Sequence, residues 1–345
     1  MSYKTILAVA ASMLATTIST FAANGEGTSL KDFYIETRLG YESEWNQGVH
    51  EKSNSLFKGQ WLNIRLDGQI TEGLTYSYRQ RLNRTSTASF FDATDWIHLD
   101  WKATDRLSLS GGKQVVAIGG YEYDRAPIDL YYCSEFWNNI PCYQFGVSAT
   151  YSVSGNDDLT FQFCNSPFRA WSGNDKYAYN LIWYGQHSFW QTIWSVNMLQ
   201  MEDEFMNYIS LGNRFNFTDS IRLDVDFLNR AGTSGHLFQN DWSAVTELSV
   251  SPCEGSRAFL KYAFDRNRSG LDSDCLIKDG TQINTASAGV EFSPLKQNRP
   301  ALRLFAVAGY GWGENTNVDG TRRDGQLLVQ AGIKWRLEIL GVLKK

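Results

Sequence analysis

From Phe33 to Trp335 the chain alternates apolar and polar residues in stretches of eight to twelve. That is the pattern of a β-strand whose two faces meet different media. Sixteen such segments begin near Phe33, Gly59, Gly73, Thr94, Arg106, Cys142, Asp158, Tyr177, Phe189, Phe205, Ser220, Asp241, Arg257, Asn284, Ala301 and Gly325. In "SIRLDVDFLNR" one face carries Ile221, Leu223, Val225 and Phe227, and the other Arg222, Asp224 and Asp226. "LTYSYRQRL" sets Leu74, Tyr76 and Tyr78 against Ser77, Arg79 and Arg81, and "GQWLNIRLDGQ" sets Leu62, Ile64 and Leu66 against Asn63, Arg65 and Asp67. The pattern predicts an all-β protein of about sixteen antiparallel strands.

The connections alternate as well. Short ones, "TEG", "ATDR", "SGND", "GQHS", "FTDS", "SPCEGS" and "SPLKQNRP", take turns with longer polar ones at 46–58, 84–93, 116–141, 166–176, 199–204, 230–240, 266–283 and 313–324. An even number of strands with tight turns at one end and long loops at the other is the arrangement of a closed membrane barrel. A soluble sandwich would turn the charged faces to water. In a barrel the apolar faces meet lipid, the charged faces line a wet lumen, and closure satisfies every backbone donor and acceptor. About sixteen strands leave an aqueous bore unless something enters it.

Composition supports the membrane reading. Aromatic residues make up 14% of the chain, with 12 Trp, 17 Tyr and 20 Phe, and such rings gather in girdles at membrane interfaces. The opening "MSYKTILAVAASMLATTISTFAANGEG" has one lysine, a short apolar run and a small-residue end. It predicts a signal peptide over 1–22, cleaved on export, with 23–345 forming a barrel in the outer membrane of a Gram-negative bacterium, among lipid and lipopolysaccharide. No apolar run is long enough to span a bilayer as a helix. The formal charge of -5 argues against a nucleic-acid partner.

The longest connection, "AIGGYEYDRAPIDLYYCSEFWNNIP", follows the fifth strand, so it is the third of the long loops. Gly119 and Gly120 permit a sharp departure from the strand, and Pro127 and Pro141 stiffen the path. The rings of Tyr121, Tyr123, Tyr131, Tyr132, Phe136 and Trp137 predict a packed loop. Two paths stay open: inward, to narrow the bore over 116–141, or over the mouth. An inward path would bring Glu122, Asp124, Arg125, Asp129 and Glu135 to the constriction. Arg38, Arg65, Asp67, Arg79, Arg81, Asp100, Arg222, Asp224 and Arg303 are the expected pore-lining charges. Arg65, Arg79 and Arg81 on adjacent strands suggest a basic strip, although such charges can also pair across neighbouring strands. Cys133, Cys142 and Cys164 are disulfide candidates in any pairing; Cys253 and Cys275 lie toward opposite ends of the strands and should not bond each other.

At "GGKQVV" followed by "GGYEYDRAP" the chain resembles the porin O and P family, the phosphate-selective porins of the outer membrane. The resemblance implies a sixteen-stranded barrel, a trimeric assembly, a constriction by the third outer loop, and a place at that constriction for Lys113 of the Gly112-Lys113-Gln114 motif. It also implies anion or phosphate preference. The predicted lumen arginines are, however, interleaved with Glu36, Asp67, Asp100, Asp224, Asp226, Glu247 and Glu291, and the chain runs on past Trp335 as "LEILGVLKK". A trimer would need small residues on the lipid face, such as Ala286 with Ala288 and Ala306 with Ala308.

Catalysis is not expected. The four histidines, His50, His98, His187 and His236, stand in separate segments with no zinc spacing. Neither a nucleophile elbow nor an oriented base can be assembled. The acids of the third loop lack calcium spacing, so no cofactor or metal is expected. The sequence therefore predicts a passive pore for small hydrophilic solutes or ions. Its rival is a structural or surface-binding barrel with a closed lumen.

Overall fold

The computed structural model describes residues 28–83, 90–169, 173–233, 235–270, 276–295, 301–317 and 322–340. The expected signal peptide and Cys275 lie outside the described residues. Sixteen long strands run β1 (Ser29–Asn46), β2 (Leu56–Thr71), β3 (Leu74–Arg81), β4 (Thr94–Lys102), β5 (Leu107–Val115), β6 (Tyr143–Ser152), β7 (Asp157–Asn165) and β8 (Tyr177–His187). They continue as β9 (Trp190–Met201), β10 (Glu204–Thr218), β11 (Ile221–Gly232), β12 (Asp241–Val250), β13 (Ser256–Asn267), β14 (Gln282–Phe292), β15 (Leu302–Glu314) and β16 (Gln326–Glu338). A two-residue strand, Val49–His50, decorates the first long loop.

Each strand pairs antiparallel with its sequence neighbour, and β1 closes the ring on β16 from Tyr34↔Glu338 to Asn46↔Gln326. Closure leaves no sheet edge in need of a partner. Period-two alternation decides which face looks out. Ile97, Leu99, Trp101, Val147, Phe161, Leu181, Val196, Leu260, Val290 and Leu304 are all exposed on the outside. Such a belt is a liability in water and the expected wall in hydrocarbon. Aromatic residues thicken it at both ends: Tyr41, Phe57, Phe91, Phe145 and Tyr179 toward the long loops, and Trp101, Tyr151, Phe189 and Phe217 toward the short turns.

The long connection expected at 199–204 is instead a tight turn at Glu202–Asp203, with β9 reaching Met201 and β10 starting at Glu204. Leu199 and Met206 are buried on the inner face and carry the alternation through the segment that its polar residues disguise. Glu202 takes a φ of 50° to close the turn.

The inner faces do not all meet water. Toward the long-loop end, Ala178, Leu199, Met206, Tyr208 and Leu228 of the wall pack with Val116, Ile118, Tyr123, Phe136 and Ile140 of the third loop, and with Phe168, Leu276 and Ile277 of later loops. Part of the barrel interior is thus a dry core. It fixes where the third loop runs.

Candidate functional site

Residues 116–141 leave β5 and run against the inner wall. They form two short helices, α1 (Tyr121–Asp124) and α2 (Glu135–Asn139), with a 3-10 turn at Pro127–Asp129 between them. Close approach comes first. A Cβ at Gly212 on β10 would sit 2.7 Å from the Cα of Gly120, and Gly120 itself holds a φ of 110°. Glycine on both sides lets loop and wall touch backbone to backbone. There the Gly119 amide donates to Ser195 Oγ at 2.8 Å and its carbonyl accepts from Ser210 Oγ at 2.8 Å. Gln162 accepts from the Ala117 amide and donates to the Val115 carbonyl, each at 2.8 Å, while Asn197 donates to the Ala117 carbonyl at 2.8 Å.

Two wall aspartates then cap the two loop helices. Asp226 on β11 accepts the amides of Tyr121 and Glu122 at 2.8 and 2.7 Å. Asp265 on β13 accepts those of Glu135 and Phe136 at 2.8 and 3.3 Å. First-turn amides have no partner within a helix, so a carboxylate there satisfies two donors at once. Ion pairs complete the attachment. Arg125 reaches Glu247 at 2.7 Å and Asp224 at 3.0 Å, Glu122 takes Lys261 at 2.5 Å, and Asp129 takes Arg303 at 2.7 Å and Lys334 at 2.8 Å. Arg38 on β1 donates to the carbonyls of Ile128 and Leu130 at 3.1 and 2.6 Å. Burial works to raise the Asp129 carboxyl, but the charges of Lys334 and Arg303 outweigh it and hold it at about 2.

The loop's polar partners come from β7, from β9 to β16, from Arg38 and from Arg322 of the last long loop. Between the loop and the remaining wall lies a cavity of about 870 Å³. Its charged lining consists of Arg65, Arg79, Arg125, Arg303, Lys334 and Arg336 against Glu36, Asp124 and Asp129, with His98 beside them. Guanidinium groups stack on lumen rings along this wall: Arg336 lies 3.5 Å from the centroid of Tyr34, Arg79 4.9 Å from that of Trp96, and Arg81 4.5 Å from that of Trp61.

The six residues expected at the constriction separate into three kinds. Asp124, Arg125 and Asp129 line the cavity. Glu122 and Glu135 are buried away from it; Glu135 accepts the Arg322 amide at 2.7 Å, and Glu122 takes the Ser134 hydroxyl at 2.5 Å besides Lys261. Lys113 is not in the lumen. It pairs in register with Ile97, whose side chain faces outward, and its Nζ donates to the carbonyls of Phe91 and Thr94 at 2.6 Å under the second long loop. Strand parity, with Leu109 exposed on the same face, overrides the motif.

Each predicted pore-lining charge except Arg38 and Arg303 is already engaged by the wall itself. Arg65 pairs with Asp67 at 2.6 Å, Arg81 with Asp95 at 2.9 Å, and Arg222 with Asp224 at 3.5 Å. Arg79 stands 3.4 Å from Asp95 and 3.7 Å from Glu36, and Asp100 holds His98 at 3.1 Å. Arg303 and Arg38 face the loop as described. Cys133, Cys142 and Cys164 are free thiols, not a disulfide. Cys133 lies among the charges of Lys261 and Glu122, whereas Cys142 has turned back toward Arg81 and Asp95, so the loop carries the two apart. Burial pushes the Cys133 thiol up to about 11, which makes it a poor nucleophile.

Sequence reasoning missed the capping role of Asp226 and Asp265, the tie residues Gln162, Ser195, Asn197 and Ser210, and the Lys261 and Lys334 pairs. Asp226 and the amide it caps are 105 residues apart. No spacing in the chain signals such a pair; only the inward parity of each side chain was available.

Residues 36–188 match the family model for "Phosphate-selective porin O and P". No curated protein matches the chain in sequence. Among solved structures, the anion-selective porin from Comamonas acidovorans is similar at a TM-score of 0.63 with 10% identity, covering 90% of this chain and 100% of that one. The trimer form of OmpT, an outer membrane protein of Vibrio cholerae, is similar at 0.60 with 13% identity and the same coverage of 90% and 100%. A triple mutant of the Rh. blastica porin gives 0.55 with 11% identity, again covering 90% and 100%. At such identities the likeness is one of fold.

Proposed function

We propose that this chain, whose residues 36–188 match the family model for phosphate-selective porin O and P and whose fold is similar to that of solved porins, is a passive, anion-preferring pore of the outer membrane whose lumen is narrowed by residues 116–141. Small hydrophilic ions and solutes pass down their gradient through the space between that loop and the β2–β6 wall. The observation that carries this reading is the lining of the 870 Å³ cavity, with six fixed cations to three carboxylates. The sign of the field in the narrow part of a pore sets which ions enter it.

The proposed constriction residues are Asp124, Arg125 and Asp129 from the loop, Arg303 and Lys334 paired with Asp129, and Arg65, Arg79 and Arg336 elsewhere on the cavity wall. Three features support an inward, fixed loop: the paired aspartate caps, the glycine contact at Gly212, and the apolar packing of its rings. Residues 1–22 would direct export and be removed. Assembly as a trimer accords with the family resemblance, and the Vibrio cholerae structure is itself described as a trimer form.

Planar-bilayer recording tests the proposal. Purified protein should give steady steps of current in KCl, and a KCl gradient should yield a reversal potential of the sign for chloride. No steady current would favour the closed, surface-binding barrel, and a reversal potential of the opposite sign would remove the anion preference.

A further inference from the structure

The cavity sorts its lining by chemistry around the wall. Its cationic edge lies on β15, β16 and β2; its next edge, on β5 to β7, bears no charge and consists of Gln114, Ser148, Thr150, Thr160 and Gln162. On the cationic edge Arg336 and Arg65 flank the Tyr34 ring, with guanidinium carbons 3.5 and 6.0 Å from its centroid. Both are part exposed, at 29% and 36% of the side chain, and both make their ion pair through Nε, to Glu338 and Asp67. Across from them Thr150 and Thr160 share one hydrogen bond at 2.8 Å, and Ser148 donates to Gln114 at 2.9 Å. A hydroxyl engaged once still has acceptor capacity, and the Thr pair leaves one O–H free to donate. The loop adds an exposed carboxylate, Asp124, near Tyr184 on the β8 side. An anion entering the cavity is repelled there and drawn toward Arg65 and Arg336.

We infer that the solute this cavity is shaped to pass is a hydroxylated carboxylate of the sugar-acid class, its carboxylate on the Arg65–Arg336 edge and its hydroxyls along Ser148, Thr150 and Thr160. A compact oxyanion would use the first edge and leave the second idle. A neutral sugar would do the reverse. The volume falls within the range of about 300–1,000 Å³ typical of small-molecule sites. The inference rests on the pore reading and names its solute.

The test is block of single-channel KCl current by D-glucuronate, with acetate, D-glucose and inorganic phosphate as comparison probes. Glucuronate should interrupt the current at a concentration about tenfold below acetate or glucose, tenfold being one added hydrogen bond of the charge-assisted or multiple kind. Thr150→Val with Thr160→Val should bring glucuronate to the level of acetate and leave acetate unchanged; Ser148→Ala serves where the double variant does not fold. Arg336→Gln should weaken glucuronate and acetate together. Block by phosphate or acetate at the glucuronate concentration, or an unchanged glucuronate-to-acetate ratio in the hydroxyl variants, overturns the sugar-acid assignment while the pore stands. An absence of any current overturns the pore and this inference with it.

Discussion

The wall from β9 to β16 and the wall from β2 to β6 are built from the same alternation and carry the same kinds of charge, yet they spend those charges differently. On the first, Asp224, Asp226, Glu247, Lys261, Asp265 and Lys334 meet the third loop. On the second, Arg65, Arg79 and Arg81 meet carboxylates of the wall itself, and Arg65 and Arg79 border the cavity. Residue type therefore does not separate a tie from a pore charge. What separates them is whether the loop passes over the position, and the loop passes where small residues and apolar rings allow backbone contact.

The largest effect should come from removing the two caps on the tied side. Asp226→Ala with Asp265→Ala leaves the amides of Tyr121, Glu122, Glu135 and Phe136 without their acceptors, at about 1–3 kcal/mol for each buried donor stranded. The loop should then detach while the barrel persists. The expected record is a higher and noisier single-channel conductance, with unchanged β-signal in circular dichroism. Conductance equal to the parent would show that the apolar packing alone holds the loop.

Next in size is Arg125→Ala, which sits on the tied side and also lines the cavity. Removing one partner of a buried pair costs about 3–5 kcal/mol, but Arg214 and Arg257 remain against Asp224 and Glu247, so the loss should be well below that. Thermal unfolding in detergent should move down modestly, and the reversal potential should shift toward cations. A shift in one readout without the other would assign Arg125 to one side of the comparison alone.

Along the cavity, Arg65→Gln on the open wall and Arg336→Gln at the end of β16 that borders it should reverse that ratio of effects. Both side chains are part exposed, and exposed ion pairs are worth about 0–1 kcal/mol. Unfolding temperature should barely change. Anion preference, read from the reversal potential in a KCl gradient, should fall with each charge removed.

How much of this was legible in the sequence follows from range. The sixteen strands were readable because alternation is local: Ile221 to Phe227 declares both faces within seven residues. The inward parity of Asp224 and Asp226 was readable for the same reason. Their partners were not, because Arg125 and Asp224 are 99 residues apart and only closure of the ring brings them together. Lys113 went the other way. Its motif and the resemblance pointed to the lumen, but the pairing with Ile97 put it outside, where its long stem reaches the carbonyls of the second loop. Met201 and Glu204 fall within an expected loop because their polar neighbours mask a turn of only two residues.

The smallest effect concerns pH and the Asp129 anchor. Burial opposes its charge, but Lys334 and Arg303 hold it at about 2, below the ordinary value of about 3.9. A depressed carboxyl contributes its stabilisation in full above the unfolded value and loses it as pH falls through the folded one. Anchoring by Asp129 should therefore be constant from neutral pH down to about 4 and fade only between about 4 and 2. Asp129→Asn should remove that dependence while leaving the caps at Asp226 and Asp265 in place. Single-channel noise recorded along a pH series is the measurement: parent and variant should converge at the acid end and differ slightly above it. If parent and variant instead gave the same noise at every pH, the tied wall would owe nothing measurable to Asp129, whatever its two cationic neighbours imply.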